Sequence, residues 1–264
     1  MISTDRNIFL EKSAVRARQI AYAKEWAKGL DRVDIIVFST RRFQPDDLSE
    51  NCTAYSTNSF SSLLYIFDAY RIGKKIIKKL PSDDIVTITC QDPFETGLAG
   101  KRLAEIRKGT KLLLQIHTDL FSPYFTKFSF LNKIRLFISK YTLPKADTVR
   151  VVSKKIADSL VKRGIDEKKI IIKPIEVNVD RIKNSQPTFN LKEKYPQFKK
   201  IILMVCRLEA EKNVEMALEA MKIVVSKNPS QIPSTGLIVV GSGTLSQKLK
   251  KMAYSLNLSQ KVAF

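Results

Sequence analysis

Short runs of apolar residues alternate along the chain with longer stretches of helical character, and no other feature constrains the fold as strongly. Strands that are apolar throughout indicate burial on both faces, as in a parallel sheet that is covered by helices. The sequence therefore predicts an α/β fold. The predicted strands are residues 33–38, 84–90, 111–116, 147–152, 169–172, 200–205 and 236–240. Helices are predicted at residues 13–30, 61–80 and 97–108.

The alternation breaks in one proline-containing stretch, which predicts a linker. Residues 173–200 show no helical period, and the strand–helix rhythm restarts at Lys200. We therefore expect an N-terminal Rossmann-like domain at residues 1–173, a linker at residues 174–198 and a second Rossmann-like domain at residues 199–264.

Both ends of the sequence suggest incomplete elements. Only Met1 and Ile2 precede the polar segment at residues 3–5, where a first strand is expected, and residues 261–264 resemble the start of another strand. A unit of three strands and two helices is about half of a doubly wound domain. We therefore expect a chain that is clipped at both ends, with an incomplete second domain.

The chain carries 46 Lys and Arg residues against 26 Asp and Glu residues, which gives a formal net charge of +20. This charge favours an anionic partner, but it does not choose among nucleic acid, an anionic membrane and a polyphosphate ligand. The longest wholly apolar run, residues 201–206, is far shorter than the roughly 20 residues that span a bilayer.

Cysteine and histidine usage argues against a zinc site. Cys52, Cys90 and Cys206 lie far apart in the sequence, and His117 is the only histidine. Met1 and Ile2 are followed by the polar and charged residues 3–6 rather than by the apolar segment of a signal peptide. The sequence therefore predicts a cytoplasmic protein, soluble or membrane-associated, that is poor in metal ligands.

Arg207 and Lys212 occupy the turn where an apolar strand leads into the next helix, with Lys212 near the first helical turn. Open α/β sheets bind ligands at the carboxyl ends of their strands, and the N-terminus of a helix suits phosphate. Both cations are therefore candidate ligands of a phosphorylated substrate. The alternative is a solvated loop in which Arg207 pairs with Glu209 or Glu211.

A second strand-to-helix turn contains the sequence Gly241-Ser242-Gly243. Two glycines let the backbone approach a ligand closely, and Thr244 is available as a helix cap. The alternative is a plain tight turn.

Four polar residues of the N-terminal domain follow two neighbouring predicted strands. Asp92 and Glu95 come after the first of these strands, and His117 and Asp119 come after the second. Because the carboxyl ends of parallel strands meet at one edge of a sheet, we expect these side chains at one site. His117 is either a ligand contact there or a structural residue whose hydrogen bonds are satisfied.

Ser13 and Arg16 open the first predicted helix and are candidates for binding an anionic group. The alternative is an ordinary helix cap with an exposed arginine.

Together these motifs make the chain resemble the glycosyltransferase family 4 group of retaining enzymes, which have a GT-B fold of two Rossmann-like domains. The resemblance runs from about residue 10 to the end of the sequence. It is carried by Gln91-Asp-Pro-Phe-Glu-Thr-Gly-Leu98, Gln115-Ile-His-Thr-Asp119, Val151-Val-Ser153, Lys173-Pro-Ile175, Arg207-Leu-Glu-Ala-Glu-Lys-Asn213 and Val240-Gly-Ser-Gly243.

The resemblance implies transfer of a hexose from a nucleotide sugar to a glycan or lipid-linked acceptor, with retention of the anomeric configuration. It implies that Arg207 and Lys212 hold the donor's diphosphate and stabilise charge on the departing nucleotide without a metal. It places His117 near the donor sugar. The expected catalytic residues are therefore His117, Arg207 and Lys212. The expected substrate-binding residues are Ser13, Arg16, Asp92, Glu95, Asp119, Gly241 and Gly243.

The sequence departs from the family's pattern near its C-terminus. No Glu follows Glu219, so the Glu-x7-Glu element that helps to bind the donor sugar and ribose is absent. The glycine-containing loop that is usual near the first strand is also replaced or lost, and Ser13 and Arg16 lie near its place. We therefore expect little or no transferase activity from this chain alone.

Residues 125–141 read as a basic helix with two apolar clusters. We expect the larger cluster to dock on the domain, and its members are Phe130, Leu131, Ile134, Phe137, Ile138 and Tyr141. The smaller cluster, Phe125, Phe128 and Leu136, lies nearer the basic residues and is a candidate contact with an anionic membrane. The alternative is a helix that is packed on both sides and has a solvated basic rim.

We therefore expect a cytoplasmic enzyme that is peripheral on the inner face of the membrane. Its expected partners are a nucleotide sugar, a glycan or lipid-linked acceptor and an anionic membrane surface. The alternatives are an inactive membrane-associated remnant and a basic nucleic-acid-binding module. Because no recognisable nucleic-acid reader motif is present, we expect no nucleic-acid partner.

Overall fold

The computed structural model describes residues 1–127, 129–175, 177, 179–226 and 234–264. The chain divides into two compact units, an N-terminal unit of residues Met1–Glu176 and a C-terminal unit of residues Val177–Phe264.

The N-terminal unit is built on one eight-stranded sheet. Its strands are β1 (Ile2–Ser3), β2 (Val33–Val37), β3 (Asp46–Ser49), β4 (Cys52–Ser56), β5 (Thr87–Cys90), β6 (Lys111–Ile116), β7 (Thr148–Val151) and β8 (Ile170–Ile172). They lie in the order β3-β4-β2-β1-β5-β6-β7-β8. Every neighbouring pair is parallel except β3 with β4. The carboxyl ends of the seven parallel strands therefore share one edge.

Helices cover both faces of this sheet. They are α1 (Ala14–Trp26), α2 (Tyr65–Ile77), α3 (Glu95–Ala104), α4 (Pro123–Lys127), α5 (Phe130–Thr142) and α6 (Lys154–Val161). Ala69 of α2, Leu103 of α3 and Leu160 of α6 belong to the larger apolar core on one face. Ala23 of α1 packs with Val37 and the other side chains that point to the opposite face of β2 and β4.

The C-terminal unit has a three-stranded parallel sheet in the order β11-β10-β9. Its elements are α7 (Val179–Lys183), α8 (Leu191–Lys194), β9 (Lys200–Val205), α9 (Val214–Ser226), β10 (Thr235–Val240), α10 (Ser246–Ser255) and β11 (Val262–Ala263). The short helices α7 and α8 lie in the stretch for which the sequence shows no helical period. Leu218 of α9 and Leu249 of α10 pack with Leu237 and Val239 of β10 to form the core of this unit.

The predicted α/β fold is confirmed. The strands predicted at residues 111–116 and 200–205 match β6 and β9 end to end. The strands β3 and β4 are absent from the prediction, because their sequences contain Asp, Ser and Thr and lack an apolar run. None of the described helices is long and apolar enough to cross a membrane.

Helix α5 is turned over relative to our expectation. Phe130 and Phe137 are each 76% exposed, and Ile134 and Tyr141 are exposed beside them. Leu136, from the cluster that we expected to face outward, packs against the core. The predicted docked face is therefore wrong, and Phe128 lies outside the described residues.

Polar contacts explain this orientation of α5. Ser139 and Thr142 are fully buried, and Thr142 Oγ1 donates a hydrogen bond to Pro93 O at 2.5 Å. Arg135 Nε donates to Glu95 Oε1 at 3.0 Å. Because the buried hydroxyl side chains are small, α5 packs closely against α3 through them. The larger apolar side chains of α5 therefore face solvent.

Candidate functional site

The candidate site of the C-terminal unit lies where β9 and β10 end. These parallel strands end at the same edge, and backbone hydrogen bonds join the loops that follow them. Cys206 N donates to Val240 O at 3.1 Å, Leu208 N to Ser242 O at 2.9 Å and Leu245 N to Leu208 O at 3.0 Å. The two loops therefore form one continuous platform, which we call the loop platform.

Gly241 and Gly243 make the loop platform possible. Gly241 has a φ of +148°, and a Cβ at this position would lie 1.9 Å from Cys206 O. A Cβ on Gly243 would lie 2.3 Å from Leu208 O. Contacts this short with backbone leave no room for any other residue, so the glycines serve the close packing of the two loops. Their contact with a ligand stays a prediction.

Glu209 joins the same two loops through its side chain. Its carboxylate accepts hydrogen bonds from Thr244 N at 2.9 Å and from Thr244 Oγ1 at 2.6 Å. These bonds, with a smaller contribution from the positive charge of Arg207, lower the pKa of Glu209. Sequence reasoning named Glu209 only as a possible partner of Arg207, because its actual partner is 35 residues away in the sequence.

Arg207 extends from the loop platform into solvent. Its Nη2 lies 2.8 Å from Glu211 Oε1, and the two side chains are 72% and 45% exposed. An exposed ion pair of this kind is weak, so it is readily exchanged for an anionic ligand. The pairing with Glu211 is one of the two that the solvated-loop interpretation allows.

Lys212 lies just before α9 rather than in its first turn. It ends a short 3-10 helix, Ala210–Lys212, and Asn213 follows with a φ of +48° before α9 begins at Val214. Within the part of the chain that the structure describes, the Lys212 ammonium group has no hydrogen-bond or ion-pair partner. Lys212 thus lies just before a helix whose dipole favours anions, and Arg207 lies at the other end of the same loop.

The candidate site of the N-terminal unit is a cavity of about 420 Å³ at the carboxyl edge of the sheet. It is lined by Thr4, Asp5, Gln91, Asp92 and His117. These residues follow β1, β5 and β6, which are neighbours in the sheet. The sheet order therefore brings Asp92 and His117 to one place.

Burial shifts the pKa values of Asp92 and His117 in opposite directions. It raises the pKa of Asp92, although the carboxylate accepts a hydrogen bond from Phe94 N at 2.8 Å. Partial burial, and then the positive charge of Arg150, lower the pKa of His117. His117 is consequently a neutral imidazole at pH 7, which donates one hydrogen bond and accepts another.

Glu95 and Asp119 hold neighbouring elements in place and do not line the cavity. Arg135 Nε donates to both carboxylate oxygens of Glu95, at 3.0 and 3.2 Å. Asp119 Oδ1 accepts hydrogen bonds from Ser159 Oγ at 2.9 Å and from Phe121 N at 3.2 Å. These bonds tie Glu95 to α5 and Asp119 to α6.

Ser13 and Arg16 are also bonded within the N-terminal unit. Ser13 is the N-cap of α1, where its Oγ accepts a hydrogen bond from Arg16 N at 3.0 Å. Both terminal nitrogens of Arg16 donate to the carboxylate of Asp46 on β3, and these bonds raise the pKa of Arg16. Ser13 thus matches the cap interpretation, whereas Arg16 is only 18% exposed. Their roles in substrate binding stay predictions.

Comparison with known proteins identifies the family of this chain. Residues 20–181 match Glycosyltransferase Family 4, and residues 186–264 match the Glycosyl transferases group 1. The chain belongs to Glycosyltransferase Family 4. The family that the strand-end motifs predict is therefore confirmed.

One relative of this Family 4 chain is an uncharacterized glycosyltransferase of Methanocaldococcus jannaschii. The two are 24% identical over 259 residues, which cover 93% of this chain and 57% of the relative. The chain thus spans less than two thirds of that relative's length.

Solved structures share the fold of this Family 4 chain. The lipopolysaccharide outer core galactosyltransferase WaaB is 15% identical with a TM-score of 0.60, and the match covers 99% of this chain and 65% of WaaB. Anabaena HepE, crystallised with UDP and glucose, is 15% identical with a TM-score of 0.65, over 100% of this chain and 68% of HepE. An α,α-trehalose 6-phosphate synthase of Burkholderia multivorans is 13% identical with a TM-score of 0.66, over 99% and 72%. The predicted GT-B fold is therefore confirmed.

Sequence reasoning overlooks Thr4 and Asp5, which line the cavity of this Family 4 chain. Both follow β1, the short first strand at Ile2–Ser3, and the sequence around them contains no motif that marks a site. Gln91 Oε1 accepts hydrogen bonds from Thr4 N at 2.8 Å and from Ser3 Oγ at 3.1 Å. Gln91 therefore fixes the start of the loop after β1 to the end of β5.

The cysteines of the Family 4 chain are free, and two of them are buried. Burial raises the pKa of Cys52 to about 11 and also raises the pKa of Cys90, which keeps both thiols protonated. Among the residues that the structure describes, no group of three or more His, Cys, Asp or Glu side chains is placed to hold a metal ion.

Proposed function

We propose that this Family 4 protein transfers a hexose from a nucleotide sugar to a glycan or lipid-linked acceptor. The observation that supports this most directly is the loop platform, which presents exposed Arg207 after β9 and exposed Lys212 just before α9. In this proposal the two cations bind the diphosphate of the donor. The relatives support it, since HepE was crystallised with UDP and glucose.

The two cations act electrostatically on the departing nucleotide. When the bond between the sugar and the diphosphate breaks, negative charge grows on the phosphate oxygens. Arg207 offers a planar fork of N–H donors, Lys212 offers a compact positive charge, and the start of α9 adds the positive end of a helix dipole. Fixed charges of this kind stabilise such a leaving group without a metal ion. We therefore propose a metal-independent reaction that uses no cofactor. We also propose that the reaction retains the anomeric configuration, which rests on the resemblance to the retaining enzymes of the family.

The cavity of the N-terminal unit has a second role in this proposal. Neutral His117 donates a hydrogen bond to the transferred sugar, and Asp92 accepts one from a hydroxyl of the acceptor. Gly241 and Gly243 shape the loop platform beneath the donor. The remaining predicted substrate-binding residues act through the loops that they hold, and they are Ser13, Arg16, Glu95 and Asp119.

We also propose that the protein is cytoplasmic and binds the inner face of the membrane peripherally. The orientation of α5 supports this, because Phe130, Ile134 and Phe137 are exposed along one side of the helix. Lys133 and Lys140 are exposed on the same side. An apolar stripe with interspersed lysines is typical of a helix in contact with an anionic bilayer.

Calorimetric titration with UDP and a panel of nucleotide sugars tests the donor site. We expect Arg207→Ala and Lys212→Ala each to weaken UDP binding about tenfold or more, because each removes a charge-assisted contact with the diphosphate. Lys250→Ala is the matched control, because Lys250 is also an exposed lysine but lies on α10, away from the strand ends. This variant should bind UDP like the parent chain.

Two outcomes would contradict the donor-site assignment. One is unchanged UDP affinity in both Arg207→Ala and Lys212→Ala. The other is DNA binding with a steep salt dependence and no affinity for any nucleotide sugar, which would favour the nucleic-acid-binding alternative.

A further inference from the structure

The lining of the N-terminal cavity is opposite in charge to the chain as a whole. The chain has a formal net charge of +20. The described residues that line the cavity nevertheless include two aspartates, Asp5 and Asp92, and no lysine or arginine. Neither carboxylate forms a salt bridge within the ranges that the structure describes. The cavity is therefore a locally acidic place on a basic protein.

The arginines nearest to the cavity are held by other parts of the N-terminal unit. Arg6 follows Asp5 in the sequence, but its Nε donates a hydrogen bond to Phe38 O at 3.1 Å, at the end of β2. Arg150 on β7 donates through Nη1 to Gln115 Oε1 at 2.9 Å. Neither guanidinium group lines the cavity. The positive charges close to the cavity are thus committed to structure.

Several polar groups of the cavity lining are open to a ligand. Gln91 Oε1 accepts hydrogen bonds from Thr4 N at 2.8 Å and from Thr4 Oγ1 at 3.3 Å, which fixes the orientation of the amide. In the part of the chain that the structure describes, no hydrogen bond uses Gln91 Nε2 or either ring nitrogen of His117. Asp5 Oδ1 accepts a weak bond from Asn7 N at 3.3 Å. The cavity therefore offers both donors and acceptors.

This set of groups is complementary to a sugar ring. Each sugar hydroxyl both donates and accepts, so it can bond to the Gln91 amide or the His117 imidazole and to a carboxylate as well. The cavity volume of about 420 Å³ is within the range of small-molecule sites. A phosphate or a second carboxylate would be repelled by Asp5 and Asp92, whereas a protonated amine would be attracted.

We propose that the part of the acceptor that enters this cavity is an uncharged sugar or an amino sugar, and that Asp5 and Asp92 exclude phosphorylated sugars and sugar acids. The inference rests on the proposed function and narrows the acceptor to one chemical class. If the acceptor is linked to a lipid, its phosphates lie outside the cavity and only its sugar enters. Asp5, which no sequence motif indicates, thereby becomes a specificity-determining residue.

An NMR titration of the 264-residue chain tests the proposed acceptor class. The signal is the His117 imidazole, which is the only one in the chain. The probes are methyl glycosides, 2-amino sugars, 6-phosphates and uronic acids of glucose, galactose and mannose, at pH 7 and constant ionic strength. In the configuration that binds best, we expect the 6-phosphate and the uronic acid to bind about tenfold or more weakly than the methyl glycoside. The 2-amino sugar should bind at least as tightly as the methyl glycoside.

Isosteric variants test the role of the two carboxylates. Asp5→Asn keeps the size of the side chain and an oxygen that accepts hydrogen bonds, but removes the charge. It should strengthen binding of the 6-phosphate and the uronic acid about fivefold or more, and change binding of the methyl glycoside by less than about twofold. Asp92→Asn should act in the same direction. Asp83→Asn is the matched control, because Asp83 is exposed and precedes β5, toward the opposite edge of the sheet.

Three outcomes would overturn this inference. The first is binding of a 6-phosphate or a uronic acid to the parent chain as tightly as the methyl glycoside, a result that does not depend on any variant. The second is an unchanged preference in both Asp5→Asn and Asp92→Asn. The third is a His117 signal that responds to none of the sugars.

UDP affinity separates the failure of this inference from the failure of the proposed function. UDP binding without any sugar response at His117 would contradict the acceptor class and leave the donor site standing. The expected sugar preference in a chain that binds neither UDP nor any nucleotide sugar would support the cavity assignment and contradict the donor site alone.

Discussion

The two units use charged side chains near their strand ends in opposite ways. In the N-terminal unit, Arg16, Glu95 and Asp119 are each bonded to another element of the same unit. In the C-terminal unit, Arg207 has only an exposed pair within its own turn, and the side chain of Lys212 is solvated. The C-terminal loops are joined by backbone bonds, close-packed glycines and the Glu209 carboxylate, which leaves the two cations available to a ligand. A charged residue after a strand is thus a candidate ligand-binding residue only where other contacts hold its loop in place.

Among the substitutions that test this comparison, the largest effect is expected at Gly241. We predict that Gly241→Ala destabilises the C-terminal unit by about 3 kcal/mol, because its Cβ would overlap Cys206 O and its φ is unfavourable for alanine. Urea unfolding measures this difference. Gly29→Ala, which has open space at the Cβ position, should change stability by less than about 1 kcal/mol. Equal effects of the two substitutions would show that the loops are not packed through the glycine.

A smaller effect is expected at the ion pair between Arg16 and Asp46. We predict that Arg16→Ala costs the N-terminal unit about 2 kcal/mol, because it leaves the half-buried carboxylate of Asp46 without its partner. Lys28→Ala breaks a fully solvated pair with Glu25 and should change stability by no more than about 0.5 kcal/mol. The double variant of Arg16 and Asp46 should be no less stable than the worse single variant, and additive losses would argue against direct coupling.

The smallest effect concerns the protonation of His117, which gives the only imidazole signal of the chain in NMR. We expect His117 to titrate below its ordinary value, and Arg150→Gln to raise its pKa. Because folding lowers this pKa, the stability that neutral His117 contributes is complete above the unfolded value of about 6.5. That stability is lost as the pH falls below this value. Titration at or above the ordinary value would place His117 outside the partly buried cavity.

The fold is predictable wherever a strand contains a run of apolar residues. Residues 112–114 of β6 and residues 201–205 of β9 are such runs, and the predicted ends of both strands agree with the structure. Strand β3 contains two aspartates, and only its antiparallel pairing with β4 makes it a strand. A first strand is expected before residues 3–5, but its length and its position between β2 and β5 are known only from the structure. Short and polar strands depend on neighbours that are distant in the sequence.

The candidate sites are predictable in position but not in bonding. Sheet topology alone brings the ends of β5 and β6 together, so Asp92 and His117 share a cavity as expected. The partner of Arg16 is 30 residues away on β3, and no local pattern indicates it. The orientation of α5 follows from the buried hydroxyls of Ser139 and Thr142, whereas apolar periodicity points to the opposite face.

One pair of measurements tests the contrast between the two units most directly. UDP affinity and unfolding free energy are measured for Arg207→Ala and Arg16→Ala at a temperature where both variants are folded. We predict a crossed result, in which Arg207→Ala loses UDP affinity about tenfold or more and keeps its stability to within about 0.5 kcal/mol. Arg16→Ala should lose about 2 kcal/mol of stability and keep its UDP affinity. Loss of UDP affinity in Arg16→Ala equal to that in Arg207→Ala, or normal affinity in a destabilised Arg207→Ala, would contradict the assignment of one arginine to structure and the other to the donor.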